Sequence, residues 1–392
     1  MPEIKKMNQE EYEQMFQLAQ YAFQLDTSGA YQERFNYLAQ HSVNYGSFEG
    51  DHLASQVIAT PFKVNFFNQV HSMMGIGFVS SDPSFRGGGR IDEIMRQILR
   101  DCYEQNILFS YLAPFSYPFY RRYGYELLFE RISYRLPSKE WEIGPKTKGE
   151  IRKKTWIQAK EELKQIYQKV MQKKPGALVR EEWWYDYKFD LHRSNYFAIY
   201  YDDKQQAQGY LVYQIKAGVF TCVEWLYQTL DAYHGLNRYI ASHIDSVSEF
   251  YYEQAFNGKT PFAWTQVPIQ KAQIRPEMMA RIVDFEAFLN VFPFERLTES
   301  FAIEMTEDIY APWNQGIYEI VREDNRNIKI QKVLKTSLPR LTGTIQAYTQ
   351  LFLGYQSFDY LLFLNKIQAE IELKSILDSI FPQEAPLLED YF

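Results

Sequence analysis

One stretch, Gly75 to Ile91 (GIGFVSSDPSFRGGGRI), constrains this chain more than any other. A short apolar segment with strand character runs into a turn at Asp82-Pro83. Arg86-Gly87-Gly88-Gly89-Arg90 follows, and an amphipathic helix opens directly after it. Glycines at a helix start leave backbone N–H groups unshielded. With the positive end of the helix dipole they form a cradle for an anion. A pyrophosphate suits that cradle, so the pattern points to an enzyme that uses a cofactor.

The flanking residues give the cradle a setting. Glu3 to Lys6 read as a strand, and Asn8 with Glu11 forms a capping box for a helix running to about Gln24. A second helical segment is expected near Ala30 to His41. Three strands then succeed one another at Asn44–Glu49, His52–Phe62 and Gln69–Ser80, with turns at Gly50-Asp51 and Asn68. After the glycines, Ile91, Ile94, Met95, Ile98, Leu99 and Cys102 recur at the spacing of a helix packed on a sheet. Ile107–Leu112 reads as a buried strand, parallel to the one before the helix and ended by Pro114. A short helix, Tyr117 to Tyr123, and a strand, Tyr125 to Leu136, complete the unit.

The composition shifts near Ser138–Lys148, a polar hinge. Beyond it the same logic recurs: a helix at Thr155–Gln172, strands at Tyr196–Tyr201, Gly209–Ile215 and Val219–Gln228, and a helix expected over Leu236–Glu253. Here the turn is Thr229 to Gly235, without the arginine and the glycine run. The pattern reads as a second copy that has lost its pyrophosphate site. Met278 to Leu289 opens a third region, with strands near Phe301–Glu307 and Gly316–Arg322. Helices are expected near Thr344–Leu353, Ser357–Phe363 and Leu373–Phe381. The expected domains are 1–145, 146–284 and 285–392, in a mixed α/β fold class with mixed sheets.

The net charge of −7 argues against a nucleic-acid partner and mildly favours cationic small substrates. Aromatic content is high at 17%, which suits aromatic-rich cores and also a broad aromatic cleft. Two cysteines cannot build a disulfide framework, and Cys102 reads as core. The six histidines, including His192, show no metal spacing, so no metal is expected. The N-terminus carries no apolar signal region, and no apolar run reaches the roughly 18 residues that span a membrane. A cytoplasmic protein with no membrane partner is the expectation.

Arg86-Gly-Gly-Gly-Arg-Ile91 resembles the R/Q-x-x-G-x-G/A signature of the Gcn5-related N-acetyltransferases, with Ile91 standing where Gly or Ala is usual. Phe119-Tyr120-Arg-Arg-Tyr-Gly-Tyr125 is similar to the F-Y-x-x-x-G-F/Y element of the same family. A catalytic domain, a degenerate second copy and a mixed third domain together resemble the enhanced intracellular survival (Eis) family. That family has two such domains and a sterol-carrier-protein-like C-terminal domain. The resemblance implies acetyl-CoA as cosubstrate, with Phe78, Val79 and Ser80 pairing with the pantetheine arm. It implies Arg86, Gly87, Gly88, Gly89, Arg90 and Ile91 around the pyrophosphate, and Phe115 and Ser116 facing the cofactor. Ser116 reads equally as a helix N-cap.

By the same resemblance Tyr120 donates a proton to the departing thiolate, and the carboxyl group of Phe392 serves as base. That carboxylate could instead act through a water or simply position the amine. The strands Gln69–Ser80 and Ile107–Leu112 should splay after Ser80 and leave pantetheine a free edge. An amine then attacks the thioester, and a backbone N–H near Val79 stabilises the oxyanion. The identity of the amine is not readable from the residues; the expected acceptor is a polycationic small molecule of the aminoglycoside or polyamine kind, or a lysine amine, and the resemblance implies a hexamer. Two other duplicated transferases, aminoacyl- and myristoyl-transferring, and a non-catalytic acyl-CoA or lipid sensor remain as rival readings.

Overall fold

The computed structural model describes residues 4–26, 28–191, 193–259, 271–323, 327–370, 373–377, 380–382 and 384–392. Glu3 and His192, both singled out above, lie outside them. The chain divides into two units. One comprises Met1–Leu128, Glu277–Pro386 and Tyr391–Phe392; the other comprises Phe129–Pro276 and Leu387–Asp390.

The first unit opens with β1 (Ile4–Met7), α1 (Tyr12–Phe23), α2 (Gly29–Gln40), β2 (Val43–Glu49), β3 (His52–Phe66) and β4 (Gln69–Ser81). Then come α3 (Arg90–Glu104), β5 (Phe109–Leu112) and α4 (Tyr117–Arg121). The capping box of Asn8 and Glu11 forms as the sequence predicts. β1 to β4 are antiparallel neighbours, and the α3 crossover returns β5 parallel to β4. α3 buries Ile94, Met95, Ile98, Leu99 and Cys102 on one face of the sheet, against Tyr45, Val57 and Ile76. α1 and α2 cover the other face with Met15, Phe16, Ala19 and Phe35, against Leu53 and Ile58. Coverage on both faces explains why β3 is buried along most of its length rather than alternating.

The parallel pair separates earlier than expected. Its register runs from Met73↔Phe109 to Ile76↔Leu112, so the split begins after Ile76 and not after Ser80. Two local causes act. β5 stops at Leu112, two residues before Pro114, which has no N–H to give a ladder. β4 bulges, its register against β3 slipping between Gly77 and Ser80, with Phe78 at φ 50°.

The second unit holds β6 (Glu126–Pro137) from Phe129 onward, then β7 (Glu150–Lys154), α5 (Trp156–Met171), α6 (Glu182–Tyr185), β8 (Tyr196–Tyr201) and β9 (Ala207–Lys216). β10 (Val219–Tyr227), α7 (Leu230–Ala241) and β11 (Glu249–Phe256) follow. Its strands lie in the order β6-β11-β10-β9-β8-β7, and β10 with β11 is its parallel pair. Here the sequence reading is corrected. The helix expected over Leu236–Glu253 starts six residues earlier, capped by Thr229, and ends at Ala241. The residues from Glu249 form a strand, burying Phe250, Tyr252 and Ala255. Gly235, taken as part of a turn, lies inside α7, where a Cβ would come within 2.3 Å of the Tyr200 ring.

The chain re-enters the first unit through β12 (Ala272–Ile282), whose residues from Met279 pair antiparallel with β5. Met278–Leu289 therefore does not open the third region as a whole, because its first half belongs to the first sheet. Met278–Val283 is buried throughout, so no alternation marked it as a strand. α8 (Phe285–Val291), β13 (Phe301–Met305), β14 (Gly316–Arg322), β15 (Ile328–Val333) and β16 (Arg340–Gly343) follow. The region closes with α9 (Ile345–Phe352), α10 (Phe358–Phe363), β17 (Ile367–Ala369) and α11 (Leu373–Leu377). Of the helix expected to Phe381, residues 378 and 379 lie outside the described ones. These strands form a separate sheet, β15-β14-β13-β16-β17. Arg281 on β12 locks it to the first sheet: fully buried, it donates to the Tyr123 carbonyl and, at 2.6 Å, to Asp308 Oδ2.

Candidate active site

The turn before α3 is built by two left-handed residues, Gly87 at φ 86° and Gly89 at φ 71°. Gly89 is the N-cap of α3, and no side chain caps the helix there. Its first N–H groups are thus left for a ligand. A Cβ at Gly87, Gly88 or Gly89 would meet nothing within 4 Å, so the loop stands open. Asp82 fixes the approach, its Oδ1 accepting the Ser84 N–H at 2.8 Å.

Arg86 is exposed, and it lines a cavity of about 720 Å³ with Gly87, Gly88, Gly89, Arg90 and Ile91. Val79, Ser80 and Phe115 also face this cavity. The Arg90 guanidinium is committed to β2: it donates to Ser47 Oγ at 3.0 Å and the Phe48 carbonyl at 3.2 Å, and pairs with Glu49. Arg90 therefore braces the loop against the sheet. Phe78 turns its ring into an aromatic cluster with Phe23 and Phe35, at 5.6 and 5.1 Å. Ser116 is an N-cap, its Oγ accepting from Phe119 N at 3.4 Å.

That cap starts α4, which carries Tyr120. Its ring is 2% exposed and sits edge-on to Phe115, Phe119 and Tyr125 at 5.3, 5.1 and 6.4 Å. Burial, helped by the neighbouring phenols of Tyr125 and Tyr391, pushes its hydroxyl well above the ordinary tyrosine pKa. The phenol keeps its proton at neutral pH.

The last two residues lie in the first unit. The Phe392 ring packs on Phe62 at 4.9 Å, over Gly75, where a Cβ would stand 2.6 Å from it. The Phe392 carboxyl carbon is 3.6 Å from the place a Cβ on Gly77 would take. Gly75 and Gly77 flank Ile76, the last residue of β4 that pairs with β5, so the carboxyl group lies where these two strands part. Sequence reasoning missed both glycines. The available signal was a pair of glycines inside a strand, which marks close approach by another group.

Residues 3–128 match an acetyltransferase (GNAT) domain family, residues 176–282 a second acetyltransferase (GNAT) domain family, and residues 285–389 a sterol carrier protein domain family. The chain is similar over its whole length, at 39% identity and a TM-score of 0.94, to a crystal structure from Enterococcus faecalis. That structure covers 100% of both chains and is described as a conserved protein of unknown function and probable N-acyltransferase. The chain belongs to the Gcn5-related N-acetyltransferases.

Two more distant structures share the fold along 100% of both chains. One is a Gcn5-related N-acetyltransferase from Anabaena variabilis, at 20% identity and a TM-score of 0.85. The other is Eis1 from Mycobacterium abscessus, at 18% and 0.77. No curated protein matches the sequence. The tandem acetyltransferase domains with a sterol-carrier-type third domain are the Eis-like arrangement, and this acetyltransferase is an acyltransfer enzyme. Proteins with such domains use acetyl-CoA. The uncapped start of α3, the open glycine turn and the edge that β4 frees beyond Ile76, where β5 no longer pairs with it, suit its pyrophosphate and pantetheine. Among the described residues, no group of three or more His, Cys, Asp or Glu could hold a metal ion, and no helix is long and apolar enough to cross a membrane.

Proposed function

We propose that this acetyltransferase moves the acetyl group of acetyl-CoA to a primary amine by direct attack through a tetrahedral intermediate. The acceptor is a polycationic small molecule or a lysine side chain. The observation that supports the reading is that the first unit holds three elements: the open glycine turn, the buried Tyr120 phenol packed on the Phe115 ring that lines the same cavity, and the Phe392 carboxyl group beside Gly77. The functional division is 1–145 for catalysis, 146–284 for the degenerate copy and 285–392 for the carrier-type domain.

Residues Arg86 to Ile91 hold the pyrophosphate, and Phe78 to Ser80 offer main-chain groups to pantetheine. The carboxylate that Phe392 carries when it ends the chain accepts the proton of the incoming ammonium. The amine nitrogen forms a bond to the thioester carbon, whose carbonyl electrons move to oxygen. The N–H groups on the free edge of β4 near Val79 stabilise that oxyanion. As the carbonyl re-forms, the C–S bond breaks and Tyr120 gives its proton to sulfur. The nitrogen sheds its excess proton to solvent and keeps one hydrogen as the amide N–H, the carboxyl group releases its proton to solvent, and the tyrosine phenolate takes one back. Much of the acceleration comes from holding amine and thioester in one geometry.

The test is thiol release from acetyl-CoA over a panel of polyamines, aminoglycosides and lysine peptides. Amine-dependent release that falls sharply in a variant with one glycine after Phe392 is expected. Tight acetyl-CoA binding with no release for any amine would instead make the protein a sensor.

A further inference from the structure

The second sheet splits as the first does. Its parallel pair β10–β11 is in register from Val219↔Glu249 to Cys222↔Tyr252, and β10 then slips register against β9 between Cys222 and Glu224. In the first sheet the corresponding gap is the pantetheine slot. In the second, the chain's own residues Leu387–Asp390 lie there. The Leu387 N–H donates to the Pro175 carbonyl at 2.8 Å. The Ala255 N–H, on β11 beyond its last pair with β10, donates to Glu389 Oε1 at 3.1 Å. Leu388 is 1% exposed.

Asp390 is fully buried in this unit. It accepts from Arg180 Nε at 2.9 Å, Trp184 Nε1 at 2.9 Å, Lys188 Nζ at 3.0 Å and the Tyr167 hydroxyl at 3.3 Å. The far side of the Arg180 guanidinium grips Glu224 through two bonds, of 2.9 and 2.5 Å. Lys188 also bonds the Glu389 carbonyl at 2.7 Å, and the Tyr210 hydroxyl bonds Glu224 at 2.6 Å. Two cations thus face two carboxylates, with their lone pairs filled. Charges removed from water persist only when paired and bonded in this way. Burial opposes ionisation of Asp390 and Glu224, yet Arg180 and Lys188 hold Asp390 far below the usual carboxylate range and Glu224 down to about 2. The cluster is an anchor in which both carboxylates are held ionised at neutral pH.

We propose that the split of the second sheet, with its Arg180–Glu224 pair, is a dock for the chain's tail, and that Asp390 is a positioning residue for the Phe392 carboxyl group. Asp390 is two residues from Phe392, which leaves Tyr391 as the whole of the leash. The degenerate copy acts on the reaction by holding a peptide where a working copy would hold pantetheine. This rests on the proposed role of Phe392 in catalysis.

The experiment uses the full chain with Asp390→Asn, which keeps the shape and removes the charge. Two readouts are taken: kcat per folded molecule at saturating amine, and the rate at which a carboxypeptidase trims the native protein. The expected result is a kcat lower by about 100-fold, the scale of an ångström-sized misplacement. Trimming should be faster by at least about tenfold, the sign of local release. The KM for acetyl-CoA should stay within about twofold, because the glycine turn is untouched. A purely structural anchor would change folded yield and leave kcat per folded molecule alone. If Asp390→Asn does not fold, Lys188→Met removes the bonds to Asp390, to the Glu389 carbonyl and, at 3.0 Å, to Glu224 Oε2, leaves the two Arg180–Glu224 bonds in place, and should move both readouts the same way. Unchanged kcat and trimming in the folded variant overturn the dock. The variant with one glycine after Phe392 separates the two ideas. If it keeps full kcat, the carboxyl reading fails. If it loses kcat while Asp390→Asn does not, the carboxyl reading stands and the dock fails.

Discussion

The first and second sheets make the same gap and start the next helix in opposite ways. Each has a four-residue parallel register followed by a bulge on the longer strand. In the first unit α3 begins at Gly89, with φ 71° and no side chain to cap it. In the second, α7 begins at Thr229, whose Oγ1 takes the Ala232 N–H at 3.1 Å. One helix start is left unsatisfied and open to an anion, while the other has already supplied an acceptor from its own sequence. The fold therefore provides a cleft in both copies, and a few side chains decide what enters it.

The largest expected effect removes the proton donor proposed for the first cleft. Tyr120→Phe should lower kcat by about 10²–10⁴-fold, the usual worth of a general acid, with acetyl-CoA affinity within about twofold by calorimetry. Full activity in this variant would remove tyrosine acid from the account. Gly75→Val comes next. Its side chain would press on the rings of Phe392 and Phe62, and kcat should fall by about 100-fold with the KM for acetyl-CoA retained. A rise in KM alone would mean that the Phe392 ring serves cofactor binding instead.

Glycines sharpen the comparison further. Gly89→Ala puts a Cβ on a left-handed residue, costing about 1–2 kcal/mol, and should raise the KM for acetyl-CoA by about 5–30-fold. Gly235→Ala in the second copy meets the Tyr200 ring. It should lower stability by about 1–3 kcal/mol in a denaturant titration, with kcat per folded molecule unchanged. Activity loss in the second and none in the first would reverse the roles assigned to the two copies.

Much of the first domain was legible because its signals are local. The capping box at Asn8, the glycine run and the apolar stripe of α3 are each readable within a dozen residues. The second copy's helix was misplaced because Thr229-Leu-Asp-Ala looks like a polar turn until its cap is recognised. Residues 249–256 carry aromatic residues at spacings that a helix and a strand share. The strand at Met278–Ile282 was missed because it is buried on both faces. The end of the tail, Phe392, was read only through the family resemblance, and its anchor at Asp390 was not read. Asp390 meets Arg180 across 210 residues of sequence, and no local pattern announces such a pairing.

The smallest effect concerns pH. Burial raises the Tyr120 pKa, and the phenol acts while protonated, so its contribution is lost only as pH rises through that raised value. The rate at saturating amine should show no descending limb below about pH 10, the ordinary tyrosine value. A limb near neutrality would assign the proton to another group.

The account stands most directly on the number of acetyl-CoA molecules each chain binds, read by isothermal titration calorimetry on the intact protein. It predicts one, at the glycine turn of the first domain, weakened by Gly89→Ala. Two per chain would contradict it, because the split of the second sheet would then be a cofactor slot and not the seat of the tail.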